Sequence, residues 1–128
     1  MKNILFLIPH PDDEVVGSCI IIKEYLKRKK ISIFFLTNGV ISEIENWPWL
    51  RKNNKKDTSI RYQEMLKSLK YLNVKNFFYQ DIHTRTLKFN IEETYTNIGN
   101  IINTQNIDTI FCPAYEGGHQ DHDIANFL

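Results

Sequence analysis

Apolar residues fall along the chain in runs and stripes whose spacing alternates. Residues 3–8, NILFLI, are almost continuously apolar, the pattern of a strand covered on both faces. Val15, Cys19, Ile22 and Leu26 then recur at helical spacing and predict a helix over 12–29, with the basic KRKK favourably placed at its negative end. ISIFFLT, residues 31–37, predicts a second buried strand that stops at Asn38-Gly39. Residues 40–56 hold two tryptophans, Pro48 and the basic run RKNNKK, and follow neither period; they predict a long irregular excursion. Asp57, Thr58 or Ser59 caps a helix reaching Leu72, with Tyr62, Met65, Leu66, Leu69 and Leu72 inward and Asn73 suited to the left-handed position past its end. NFFY at 76–79, a loop over 81–89, a helix over 91–104, a strand over 108–113 and a last helix beginning in HQDHDIANFL complete the chain.

Strand and helix thus alternate four times. The expected fold is α/β, a Rossmann-like three-layer arrangement of a mainly parallel sheet with helices on both faces. Ligands bind such sheets beyond the carboxyl ends of the strands. PHPDDE follows the first strand, TNG the second, QD the third and EGGHQDH the fourth, so every unusual polar cluster falls on one edge.

Composition narrows the classes. The 128 residues suffice for one domain with one core, and 42% hydrophobic with 24% charged residues is a globular balance. A net charge of +1 gives no global field toward nucleic acid or anionic membrane. Cys19 and Cys112 lie far apart without CxxC spacing and read as buried thiols of a reducing compartment. The N-terminal apolar run breaks at Pro9 without a small-residue cleavage site, and no segment approaches transmembrane length, so the expected location is cytoplasmic.

PHPDDE has a plain structural reading. Carboxylates favour the first turn of a helix, each by roughly 0.3–1 kcal/mol, and Pro11 suits the first helical position. That reading leaves His10 unexplained. Pro11 biases it toward an extended backbone and holds the imidazole at the strand tip. Imidazole and carboxylate together suit zinc or iron rather than calcium or magnesium. In HQDH, His119 and His122 are three apart and share a face of a helix start. The two clusters offer His, Asp and His for a metal with carboxylates and a histidine to spare; three protein ligands and an open position define a catalytic site.

PHPDDE near the N-terminus with a later HxDH resembles the LmbE-like family of zinc-dependent N-deacetylases, which includes the N-acetylglucosaminyl-phosphatidylinositol de-N-acetylases. LTNG resembles the family's TxG, and RYQEMLKSLKYLNV its RxxE helix, with Asn73 where glycine is usual. Pro9 stands for the usual alanine, Gln120 for proline, and Gly117 where some relatives have a tyrosine, leaving Tyr115 as a substitute if the loop allows. The resemblance implies that His10, Asp13 and His122 hold Zn2+ (Fe2+ being the other candidate). It makes Asp12 the general base, His119 the group that stabilises the oxyanion or protonates the leaving amine, and Asp121 the carboxylate that orients His119. Arg61 and Asp81 match positions near the sugar; Arg61 and Glu64 also read as a plain exposed helix pair. Zinc lowers the pKa of bound water to about 7, and Asp121 beside His119 would raise the histidine's pKa.

The implied activity is removal of acetyl from an N-acetylated sugar, an N-acetylglucosamine-type conjugate. Hydrolysis of another amide, or a shortened inactive metal- or sugar-binding domain, are the alternatives. Relatives continue well beyond HxDH, whereas six residues follow His122 here. The expectation is a C-terminally shortened domain with an exposed edge or apolar patch near the fourth strand that favours a homo-oligomer. RKNNKK reads as a solvated loop or a phosphate contact, Trp47 and Trp49 as a sugar platform or a hydrophobic anchor of their loop, and His83 as a surface residue.

Overall fold

A computed structural model describes residues 3–27, 29–45, 47–50 and 54–128. Its elements run β1 (Asn3–Ile8), α1 (Asp13–Val16), α2 (Cys19–Leu26), β2 (Lys30–Phe35), α3 (Asn54–Leu72), β3 (Asn76–Tyr79), α4 (Ile91–Gln105), β4 (Thr109–Phe111) and α5 (Gln120–Phe127), with short 3₁₀ turns at Pro48–Leu50 and Leu87–Phe89. The four strands form one sheet, all parallel, in the order β3-β2-β1-β4.

Side chains on a strand alternate between faces, and β1 shows why this sheet needs two cores. Ile4, Phe6 and Ile8 enter a cluster with Ile22 of α2 and Met65, Leu69 and Leu72 of α3. Leu5 and Leu7 enter another with Leu87 of the Leu87–Phe89 turn, Ile98 and Ile101 of α4 and Ala125 of α5. Helices α2 and α3 therefore cover one face, α4 and α5 the other. Each fully buried Leu, Ile or Phe contributes about 1.5–3 kcal/mol, so the continuous run NILFLI fixes β1 at the centre. The chain winds from β1 to β2 and β3, then returns past β1 to β4. The crevice beyond the carboxyl ends of β1 and β4 is the reversal point where ligands bind in such sheets.

Two turns are dictated locally. Asn73 adopts φ 60° past α3, as expected, and Asn106 does the same past α4 with φ 50°. Gly39 has φ +72°, and a Cβ there would lie 2.9 Å from Pro11 Cδ. Only glycine lets the β2 loop pass so close to the loop carrying His10.

The expected helix over 12–29 is broken. It halts at Gly17 and restarts at Cys19. Val15 is 43% exposed, whereas Glu14 is 1% exposed and accepts a hydrogen bond from Ser68 Oγ of α3. The inward residue of α1 is thus a carboxylate, and Gly17-Ser18 gives the chain room to redirect. Burial raises the Glu14 pKa against the opposing effect of Ser68. Glu14 ties α1, and hence Asp12 and Asp13, to α3. We expect Ser68→Ala to destabilise the chain by about 1–3 kcal/mol by removing the side-chain donor of this buried carboxyl. An unchanged denaturation midpoint would show that Glu14 finds another partner.

Helix α3 begins at Asn54, earlier than expected, and β4 is only three residues long. Among the described residues β4 pairs with β1 alone, leaving a sheet edge, and Ile110 of β4 is 42% exposed. Cys112 is exposed rather than buried, because the chain has already left the sheet there, and Cys19 is half-buried. No described helix is long and apolar enough to cross a membrane.

Candidate metal centre

His10 leaves β1 between two prolines, its side chain mostly buried. The backbone folds back at once: Asp12 N–H and Asp13 N–H both donate to His10 O, at 2.8 and 3.1 Å. His10 N–H in turn donates to Asp13 Oδ2 at 3.0 Å. This knot puts Asp13 Oδ2 3.2 Å from His10 Nδ1. From the far end of the chain, α5 places His122 Nε2 3.2 Å from the same oxygen. One donor atom from each of His10, Asp13 and His122 lies within 4.8 Å of the others. His122 Nδ1 is buried with no hydrogen-bond partner among the described residues.

The donor set fits a divalent transition metal. Two imidazoles and one carboxylate are the ligand types of a three-residue catalytic site. The other nitrogen of His10 meets Asp121 Oδ2 at 3.0 Å, the carboxylate support commonly found behind a ligating imidazole. Burial lowers the His10 pKa, but hydrogen bonds and charge from Asp121 and Asp13 outweigh it and bring it up to about 9. Both carboxylates are correspondingly pulled down, against their own burial, chiefly by the hydrogen bond to His10. A second grouping, His10, His119 and Asp121, also satisfies the distance condition. Asp121 is there fully enclosed and already accepts from Thr84 Oγ1 and Arg85 N–H at 2.7 Å each. It acts as a buried anchor, which leaves the first grouping as the better metal cradle.

This geometry revises two expectations. Asp121 does not aim its carboxylate at His119. The only hydrogen bond between them runs from Asp121 N–H to His119 Nδ1, at 3.2 Å, because His119 is the N-cap of α5. With Nδ1 accepting, the neutral ring carries its proton on Nε2. The His119 pKa is lowered, first by burial and then by the charge of His10, which outweighs Asp121. Its surroundings thus disfavour the imidazolium that the resemblance led one to expect.

Asp12 is more exposed, with Oδ2 3.7 Å from Arg61 Nη1, and Arg61 also lies 4.0 Å from Glu64. His10, Asp12, Arg61, Thr84, Arg85 and His119 line one cavity of about 210 Å³. Asp13 and His122 line another of about 280 Å³ on the β4 side. Asp81 sits apart, over the ends of β2 and β3, in a cavity of about 600 Å³ that also takes in Asn38, Tyr62, Tyr79 and His83. It accepts from Asn38 Nδ2 at 3.0 Å. His83 is half-buried there, its Nδ1 3.1 Å from Val40 O. Tyr115 is exposed and lines none of these three cavities.

Thr84 and Arg85 carry no motif, and sequence reasoning missed them. Their one local signal is conformational: Arg85 has φ 70°, uncommon for a residue with a side chain. That turn delivers its N–H to Asp121.

The profile of the GlcNAc-PI de-N-acetylase family, PIG-L, matches residues 5–128. The chain belongs to this family. No curated protein matches it significantly. Among solved structures it is similar to the N,N'-diacetylchitobiose deacetylase of Pyrococcus horikoshii, with TM-score 0.80 and 25% identity over 98% of this chain and 47% of that one. A deacetylase of the teicoplanin biosynthesis pathway gives TM-score 0.80 at 14% identity, over 98% of this chain and 60% of the other. The 4-carboxy-2-hydroxymuconate hydratase GalB of Pseudomonas putida gives 0.79 at 13%, over 99% and 53%. The chain thus spans roughly half of each of these proteins, and the hydratase shares the fold.

Proposed function

We propose that the chain is a metal-dependent N-deacetylase acting on an N-acetylated sugar or sugar conjugate. The observation that carries this reading is the convergence of His10 Nδ1, Asp13 Oδ2 and His122 Nε2 at the reversal point of the sheet, with Asp12 and His119 beside them. Family membership and the deacetylase relatives support the same chemistry. Zinc suits the donor set best, with iron the second choice.

His10, Asp13 and His122 would hold a divalent metal, which when bound would supply Lewis acidity for the amide carbonyl and lower the pKa of a water nucleophile. Asp12 projects into the same cavity as His119 and accepts the proton that the attacking water gives up. Arg61 steadies that carboxylate. His119 donates its Nε2 proton as a hydrogen bond to the oxygen that gains charge as the carbonyl becomes tetrahedral. The proton held by Asp12 then passes to the leaving nitrogen, so that acetate and a free amino sugar result. Arg61 and Asp81, at the two cavities flanking this centre, are proposed to bind sugar hydroxyls.

The test is product analysis with zinc added, against N-acetylated monosaccharides, disaccharides and glycosides, with non-sugar acetamides alongside. Acetate and free amine from the sugars support the reading. Release confined to non-sugar amides would contradict the sugar assignment, and no release from any of them would contradict deacetylation.

A further inference from the structure

The turn that delivers Arg85 N–H to Asp121 also sets a guanidinium at the rim of the cavity holding Asp12 and His119. The turn is bonded on both sides of this residue. Thr84 N–H donates to Val40 O at 3.1 Å, Thr84 Oγ1 and Arg85 N–H donate to Asp121 Oδ2 at 2.7 Å each, and Thr86 Oγ1 donates to His83 O at 2.6 Å. The Arg85 side chain therefore starts from a fixed point. It is exposed and lines the cavity of about 210 Å³ together with Asp12, Arg61 and His119. Its charge reaches His119, where it is one of the causes that lower the ring's pKa.

The backbone makes an arginine a costly choice here. Among the described residues three with side chains have positive φ: Asn73, Asn106 and Arg85. Asparagine tolerates that conformation because its short side chain bonds locally, and it serves at 73 and 106, where a helix has only to end. It would serve at 85 too, since the bond to Asp121 is made by the backbone N–H. Arginine at a strained position beside a candidate site points to a use for its side chain. Among the described residues no hydrogen bond or ion pair of the Arg85 guanidinium is found. Arg61, the other arginine of the cavity, already faces Asp12 at 3.7 Å and Glu64 at 4.0 Å. Arg85 is thus the cation of this cavity left for a ligand. A guanidinium presents a planar fork of donors that matches the paired oxygens of a carboxylate or phosphoryl group. Pockets for larger ligands hold roughly 300–1,000 Å³. A cavity of about 210 Å³ suits a single sugar residue, so the anionic group belongs on the sugar that carries the acetamide and not on a remote part of a conjugate.

We propose that Arg85 binds an anionic substituent, a carboxylate or a phosphoryl group, on the same sugar residue as the N-acetyl group. This subsite rests on the reading of the cavity as one for an N-acetylated sugar, so its test leaves turnover aside. Calorimetric titration of the chelator-stripped chain uses N-acetylmuramic acid for the carboxylate, N-acetylglucosamine 6-phosphate for the phosphoryl group and N-acetylglucosamine as the neutral control. At least one anionic sugar should bind about tenfold tighter than the neutral one, with the advantage falling as salt is added. The tighter of the two identifies the group. Arg85→Asn suits the left-handed turn and keeps the N–H to Asp121; it should abolish the advantage while retaining the wild-type circular dichroism spectrum. Arg85→Lys should keep part of it, as a point charge without the fork. No tighter binding of either anionic sugar by the parent chain, or an advantage that survives in Arg85→Asn, would overturn the proposal. An advantage that depends on Arg85, in a chain that releases no acetate from any of these sugars once zinc is added, would uphold the subsite and contradict deacetylation instead.

Discussion

Asp12→Asn should leave the chain with its metal and without turnover, while Asp13→Asn should lose the metal itself. The two carboxylates are neighbours in sequence but differ in every relevant contact. Asp13 Oδ2 lies 3.2 Å from both His10 Nδ1 and His122 Nε2, half-buried between them. An amide there carries no charge and binds a cation poorly, so metal affinity should fall by more than the roughly 10- to 100-fold typical of losing a supporting partner. Asp12 touches neither imidazole in the described contacts and meets only Arg61. Its amide cannot accept water's proton, and loss of a general base costs about 10²–10⁴-fold in rate. Metal content by elemental analysis and acetate release on the same preparations separate the roles. Equal metal loss in the two variants would contradict the assignment.

Asp121→Ala should be the most destabilising change at the site. One oxygen of Asp121 receives three contacts: His10 Nε2 at 3.0 Å, Thr84 Oγ1 at 2.7 Å and Arg85 N–H at 2.7 Å. The carboxylate is fully enclosed, so truncation leaves these groups facing a space that water enters poorly. Breaking a buried charged pair by removing one partner costs about 3–5 kcal/mol. Metal affinity should drop as well, roughly 10- to 100-fold, because His10 loses the group that fixes its ring. Asp121→Asn should be milder in stability, since one amide oxygen can still accept all three. Chemical denaturation and metal titration of both variants provide the check. A stability of Asp121→Ala within about 1 kcal/mol of the parent chain would show that the anchor is not needed.

The role of Asp121 marks where sequence reading stops. NILFLI and ISIFFLT announce buried strands because a continuous apolar run has few other uses, and both entered the sheet. The reversal of strand order put PHPDDE and HQDH at one crevice, as the alternation of elements implied. Yet the partner of Asp121 is 111 residues away, on a histidine already claimed by another motif. The family resemblance pairs the Asp121 carboxylate with His119, two residues before it, but His119 is the N-cap of α5 and its Nδ1 takes the Asp121 N–H instead. Glu14 was illegible for the same reason: its burial depends on Ser68, 54 residues on, and the stripe Val15–Cys19–Ile22 looked continuous without it. Trp47 and Trp49 carried two readings that the sequence could not separate. They read equally as a sugar platform or as an anchor of their loop, and among the described residues both are exposed and belong to neither core, which removes support from the anchor.

The central claim is that His10, Asp13 and His122 hold the metal on which deacetylation depends. Acetate release from an N-acetylated sugar, followed while zinc is titrated into chelator-stripped chain, tests it most directly. Release should be absent at the start, rise in proportion to added zinc and level off near one equivalent, and His10→Ala should stay flat throughout. Release that is undiminished in the stripped chain, or that responds to zinc equally in His10→Ala, would contradict the claim.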